Sequence, residues 1–158
     1  MPATDGHRKA AVSVGQRYSP VMVDESASPD LAEIMRQLAD AARRGDPDDW
    51  ADSFARDAVF LTGVGRFQGR DAIRGYVEDF WRSYEKQSFA PDEVHDLGNG
   101  VAWFSAAVTC RLRGTSADVH LRFAVAVTHA GGVVSRWTDY VTIDEARAAA
   151  ERLAEERG

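Results

Sequence analysis

A single cysteine, Cys110, stands among 158 residues. It excludes an intramolecular disulfide and leaves no zinc-type cysteine spacing. Inside an apolar stretch it reads as a small core residue. Lysine is almost as scarce, with Lys9 and Lys86 the two among 19 basic residues. The arginines are scattered, and the formal net charge is −6. That pattern offers no phosphate-binding stripe, so nucleic acid is not an expected partner. No apolar run approaches the roughly 20 residues of a membrane-spanning helix. The opening MPATDGHRKAAVSVGQRYSP has no apolar core of the secretory kind. A cytoplasmic chain without membrane contact is expected. There is no GxGxxG, Walker loop or HExxH, so nucleotide and zincin chemistry lack support, and neither cofactor nor metal is expected. No internal repeat is visible.

What is present suits one α+β domain. The hydrophobic fraction is 44% and the charged fraction 28%, ordinary for a globular chain of this length. Residues 1–27 lack a steady period and read as a flexible arm, with Val21 to Val23 able to dock on the body or on a partner. Residues 28–158 read as the folded domain. Ser28 is a good N-cap and Pro29 fits the first helical position. Leu31, Ile34, Met35, Leu38 and Ala42 then share a helical face that ends at Gly45. Asp46 and Pro47 start a short second helix carrying Trp50 and Phe54 inward, with Asp57 closing the turn. Residues 58–62 read as a strand and GVGRFQG as a glycine-bounded hairpin or bend anchored by Phe67. A third helix is predicted over 70–86, with Ile73, Tyr76, Val77, Phe80, Trp81 and Tyr84 on one face. Gly75 within it suggests a close approach by a neighbour.

From residue 88 the apolar period changes from 3.6 to 2. Strands are predicted over 89–97, 101–113, 117–129 and 133–143. Pro91 implies an edge or a bulge. Thr142 and Glu145 have capping-box spacing for a last helix. Alternation places Ser135, Trp137, Asp139 and Val141 on one face of the last strand, against Val134, Arg136, Thr138 and Tyr140. Leu121, Phe123, Val125 and Val127 likewise oppose His120, Arg122, Ala124, Ala126 and Thr128. Both sheet faces are rich in apolar residues. One should cover the core, and the other should meet a second copy in a homodimer.

Asp139 lies beside Trp137 on an apolar strand face. If buried there, its pKa rises, as an acid or base working near neutral pH requires. The plainer alternative is an arginine partner or an open strand end in water. His120 could shuttle a proton or orient a carboxylate; on the mixed face the plainer reading, favoured about two to one, is an interface or solvent group. Tyr76 or Tyr84 could donate to a substrate oxygen; the plainer reading of each is a satisfied core tyrosine. Trp137, Trp103, Phe60, Phe80, Tyr84 and Phe123 are first of all core, and would also line an apolar ligand site.

Three strings carry a family resemblance: GDPDDWADSFARDAVF, GRFQGRDAIRGYVEDFW and GGVVSRWTDYVTIDE. Together they resemble SnoaL-like proteins of the NTF2-like superfamily over roughly residues 30–145. The resemblance implies a cone of helices closed against a curved antiparallel sheet. It also implies a choice among cyclase, isomerase, epoxide hydrolase and pure binding roles. Asp139 in WTDY matches the last-strand aspartate of the polyketide cyclases and of the limonene epoxide hydrolases. The R-x-D partners of the hydrolases are missing, since FSAAV (104–108) stands there. Phe60 and Thr62 replace their tyrosine and asparagine, and Thr62 also stands where the ketosteroid isomerases keep their base. The reading that follows is cofactor-free proton transfer on a small or polycyclic apolar carbonyl compound. Asp139 would move the proton, with Tyr76 or His120 assisting. The alternatives are a non-catalytic module for binding an apolar metabolite or for dimerisation, and, as a lesser branch, hydrolysis at an epoxide.

Overall fold

The computed structural model describes residues 9–12, 21–24 and 29–158. The helical spacing of Leu31, Ile34, Met35 and Leu38 becomes the buried face of α1 (Pro29–Arg44). Gly45, at φ 65°, ends it. Asp46 caps α2 (Pro47–Asp52), its side chain accepting from the Asp49 N–H at 3.1 Å. The hairpin β3 (Phe54–Thr62) and β4 (Gly65–Gln68) leads into α3 (Arg70–Arg82). Then come β5 (Tyr84–Gly98), β6 (Val101–Leu112), β7 (Asp118–Ala130), β8 (Val133–Tyr140) and α4 (Ile143–Arg157). Thr142 and Glu145 form the capping box of α4. The expected N-cap Ser28 lies outside the described residues.

The arm expected at the N-terminus contributes two strands, β1 (Lys9–Val12) and β2 (Val21–Asp24). The rest of that stretch lies outside the described residues. The strands run in the order β1-β2-β5-β6-β7-β8-β3-β4. The sheet is mixed: β2 runs parallel to β5 and β3 parallel to β8, while the other pairs are antiparallel. The expected β5–β6–β7–β8 meander is its centre. At the β5–β6 turn Gly100 has φ 74°. A Cβ there would lie 2.5 Å from the His129 carbonyl oxygen, so this hairpin requires glycine.

Several expected boundaries move for tertiary reasons. The third helix stops at Arg82 rather than 86 because Tyr84 pairs with Leu112. The Arg113 guanidinium also donates to the carbonyls of Arg82 and Tyr84 at 3.1 and 3.0 Å. Phe54 opens a strand rather than finishing a helix, since it pairs with Val134. Asp57 therefore closes no turn; it sits in an irregularity between Phe54 and Val59. Pro91 lies next to a bulge, as expected. A Cβ at Gly75 would meet nothing within 4 Å, so no neighbour's close approach explains that residue.

The sheet has two packed faces. The inner face, with Phe54, Phe60, Phe104, Val125, Val127 and Trp137, meets α1, α2 and α3 in the main core. The outer face, with Val101, Trp103, Ala124 and Ala126, is covered by Ala146, Ala149 and Ala150 of α4. The chain's own helix thus covers part of the second apolar face. Val134 departs from simple alternation. It is fully buried in the same core as Trp137, because a register shift at Thr128/His129 inserts an extra residue into β8. Cys110 is buried, as its context implied. No helix among the described residues is long and apolar enough to cross a membrane.

Candidate functional site

The parallel β3–β8 pair sets the site. Phe60 pairs with Trp137 and Leu61 with Thr138. Two residues beyond the first pair, Thr62 and Asp139 follow on the same inner face. The β8 bulge lies before Trp137, so the Trp137–Asp139 alternation survives intact. Across from them α3 presents Tyr76, Val77, Phe80 and Trp81. Between sheet and helix lies a cavity of about 310 Å³. Its remaining lining comes from Ala42 of α1, Trp50 of α2, Gln87, Ser88 and Phe89 of β5, Val108 of β6, and Leu121, Arg122 and Phe123 of β7.

The wall is built of aromatic contacts. Phe60 stacks on Trp137 at 5.1 Å between centroids, and Tyr76 tilts onto Phe60 at 5.7 Å. Trp50 stands edge-on to Trp81 at 5.8 Å and to Phe89 at 5.2 Å. These rings fix one another in place, which stiffens that part of the cavity wall.

Asp139 accepts a hydrogen bond from the Trp137 indole N–H at 2.7 Å. Burial pushes its pKa up to about 6, and the indole bond offsets part of that rise. Tyr76 is also raised, first by burial; a hydrogen bond with Thr62 opposes the shift, and the nearby Asp139 charge adds to it. Asp139, Tyr76 and Thr62 therefore form one polar end in an otherwise apolar cavity. The Thr62 hydroxyl is held by the β3–β4 turn, accepting from the Val64 N–H at 3.2 Å. At the other side of the cavity the Gln87 amide N–H donates to the Ala42 carbonyl at 3.4 Å. Among the described residues no group of three or more His, Cys, Asp or Glu is arranged to hold a metal ion.

The expected site residues divide. Asp139, Tyr76, Trp137, Phe60, Phe80 and Phe123 all line the cavity. His120 does not. It is exposed on the outer face, its Nδ1 3.3 Å from Thr109 Oγ1. Trp103 is also on the outer face, packed by α4 and stacked on His95 at 4.2 Å. Tyr84 opens β5 instead of extending α3 and touches Phe80 at 5.2 Å, one ring removed from the cavity. Strand alternation supplies the reason in the first two cases: His120 and Trp103 have the opposite parity to Phe123 and Phe104. A helical reading of residues 84–86 hides Gln87, Ser88 and Phe89 as lining. Continuing the period of 2 back to Tyr84 puts Gln87 and Phe89 on one face. Arg122 reaches the cavity, yet its guanidinium pairs with Asp92, which also accepts from Ser105.

Solved structures of the same shape extend these observations. A Catenulispora acidiphila protein with a ketosteroid isomerase-like fold, solved with trimethylamine, is 17% identical with a TM-score of 0.64, covering 79% of this chain and 95% of its own. A candidate polyketide cyclase from Sinorhizobium meliloti is 23% identical with a TM-score of 0.56, covering 68% and 94%. A second candidate cyclase, from Xanthomonas campestris, is 19% identical with a TM-score of 0.57, covering 73% and 93%. No curated protein matches significantly. These likenesses establish an α+β fold of the NTF2-like, ketosteroid isomerase-like kind. The SnoaL-like domain matches residues 35–150, which include every residue lining the cavity, and the chain belongs to the SnoaL-like family.

Proposed function

We propose that this protein is a cofactor-independent acid/base enzyme of the cyclase or isomerase type, acting beside a carbonyl group in an apolar substrate. The observation that carries this reading is Asp139: a partly buried carboxyl with a pKa of about 6, on the wall of an aromatic cavity of about 310 Å³. A base poised near neutrality and shielded from bulk water suits removal of a proton from carbon. The Asp139 carboxylate takes the proton α to the carbonyl, and the C–H electron pair moves into the enolate. The Tyr76 hydroxyl donates a hydrogen bond to the enolate oxygen. The enolate then collapses by reprotonation from Asp139, giving isomerisation. In the cyclase variant it attacks a second carbonyl carbon in the same molecule, and the resulting alkoxide takes the abstracted proton back from Asp139. Trp137 holds the carboxylate in place through its indole N–H, and the surrounding rings exclude water.

Hydrogen–deuterium exchange at carbon tests the reading before any substrate is identified. Cyclic and aromatic ketones are incubated with the protein in D₂O, and loss of the α-proton signal is followed by NMR. Exchange that depends on protein and disappears in Asp139→Asn supports the reading. Ketones that bind without exchange would instead support the binding-module alternative, which the shortage of charged partners around Asp139 favours.

A further inference from the structure

The cavity carries a negative field, with no side-chain cation among the described residues beside the carboxylate to balance it. Eight of its 17 lining residues are aromatic, and Asp139 is its one acidic group. The single basic residue on the wall, Arg122, has its guanidinium committed to Asp92. The partner that Asp139 has is a neutral indole N–H. Aromatic faces present negative quadrupole charge to whatever they enclose, and they attract organic cations with little desolvation cost on the protein side. A buried carboxylate strengthens that attraction, because Coulomb interactions are larger away from water. The same field repels a carboxylate or phosphate on a ligand.

We propose that the cavity selects ligands carrying a tertiary or quaternary ammonium, held over the faces of Phe60, Tyr76, Phe80 and Trp137 within the field of Asp139. The inference rests on the same cavity as the proton-transfer reading and gives that reading a substrate class: an apolar carbonyl compound bearing an amine. The positive charge on such a substrate also acidifies its neighbouring C–H bonds, which lightens the work of the base.

The test compares two probes of equal shape. Phenyltrimethylammonium and its neutral carbon isostere tert-butylbenzene are titrated at pH 7.5, with binding followed by calorimetry and by the fluorescence of Trp50, Trp81 and Trp137. In the unmodified protein the cation is expected to bind at least about tenfold more tightly than the isostere. In Asp139→Asn, with its fold checked by thermal unfolding, that preference is expected to shrink to within about threefold. Equal or tighter binding of tert-butylbenzene, binding of neither probe, or an unchanged preference in Asp139→Asn would overturn the proposal. Since no turnover is involved, the outcome is independent of the deuterium-exchange result, and either reading can fail without the other.

Discussion

On the inner face of the sheet, Phe54, Phe60, Phe89, Phe104 and Trp137 meet the helices through large rings. On the outer face, Ala124 and Ala126 meet Ala146, Ala149 and Ala150 of α4. Small side chains let α4 pack against that face, beside Trp103. On the inner face α3 meets β3 and β8 through rings, with the cavity of about 310 Å³ between them. Residue size therefore divides one sheet into a structural face and a face with space for a ligand, and polarity follows the same division. The carboxyl pushed up to about 6, Asp139, lies on the inner face, while Asp92 and Asp118 sit in arginine pairs elsewhere.

The sharpest challenge to this division is Asp139→Asn. If the inner face is the working face, α-proton exchange falls by about 10²–10⁴-fold while the fold survives. The substitution also has a pH-dependent stability signature. Burial raises the carboxyl pKa in the folded state from 3.8 to about 6. The folded chain thus binds this proton more tightly than the unfolded chain, so the group favours folding at low pH and that contribution is lost as pH rises through about 6. Asp139→Asn is expected to stabilise the protein at pH 7.5 by on the order of 2 kcal/mol and to be nearly neutral at pH 4, as read by denaturant titration.

Enlarging side chains tests the packing half of the comparison. On the outer face Ala149→Leu is expected to destabilise by about 1–3 kcal/mol, because there is no free volume for the added carbons. On the inner face Val108→Leu should cost less than that, since it grows into the cavity, and should weaken ligand binding instead. Equal penalties at the two positions, measured by denaturant titration, would mean that the faces do not differ in packing.

Trp137→Phe keeps a ring but removes the indole donor. The hydrogen bond lowers the Asp139 pKa, so its loss raises that pKa further. The rising limb of the pH–activity profile then moves to higher pH. A profile that stays in place would argue that Asp139 is not the group being titrated. Smaller effects are expected elsewhere. Gly75→Ala, on a helix surface with open space at the Cβ, should stabilise by about 0.5–1 kcal/mol. His120→Gln should alter exchange activity by less than about twofold, because that ring lies on the outer face.

Much of this is legible in the residues. The capping signals at Asp46–Pro47 and Thr142–Glu145, the change from helical to strand period, and the WTDY string identify the elements and Asp139 together. Local chemistry governs such features, so a short window of sequence contains them. The features that local reading misses involve long-range partners. Arg113 ends α3 early through the carbonyls of Arg82 and Tyr84, and Val134 draws Phe54 into a strand. The last helix, α4, reaches back to cover Trp103 and Ala124 on the outer face.

The sequence by itself determined the alternation that pairs Trp137 with Asp139 and separates both from Thr138 and Tyr140, because strand geometry turns every second side chain to the same side. Only the tertiary structure decided which of those sides encloses a cavity. That depended on a bulge placed before Trp137 rather than after it, and on α4 packing against the opposite face. A bulge between Trp137 and Asp139 would have reversed the assignment of Asp139 with scarcely any change in the sequence pattern.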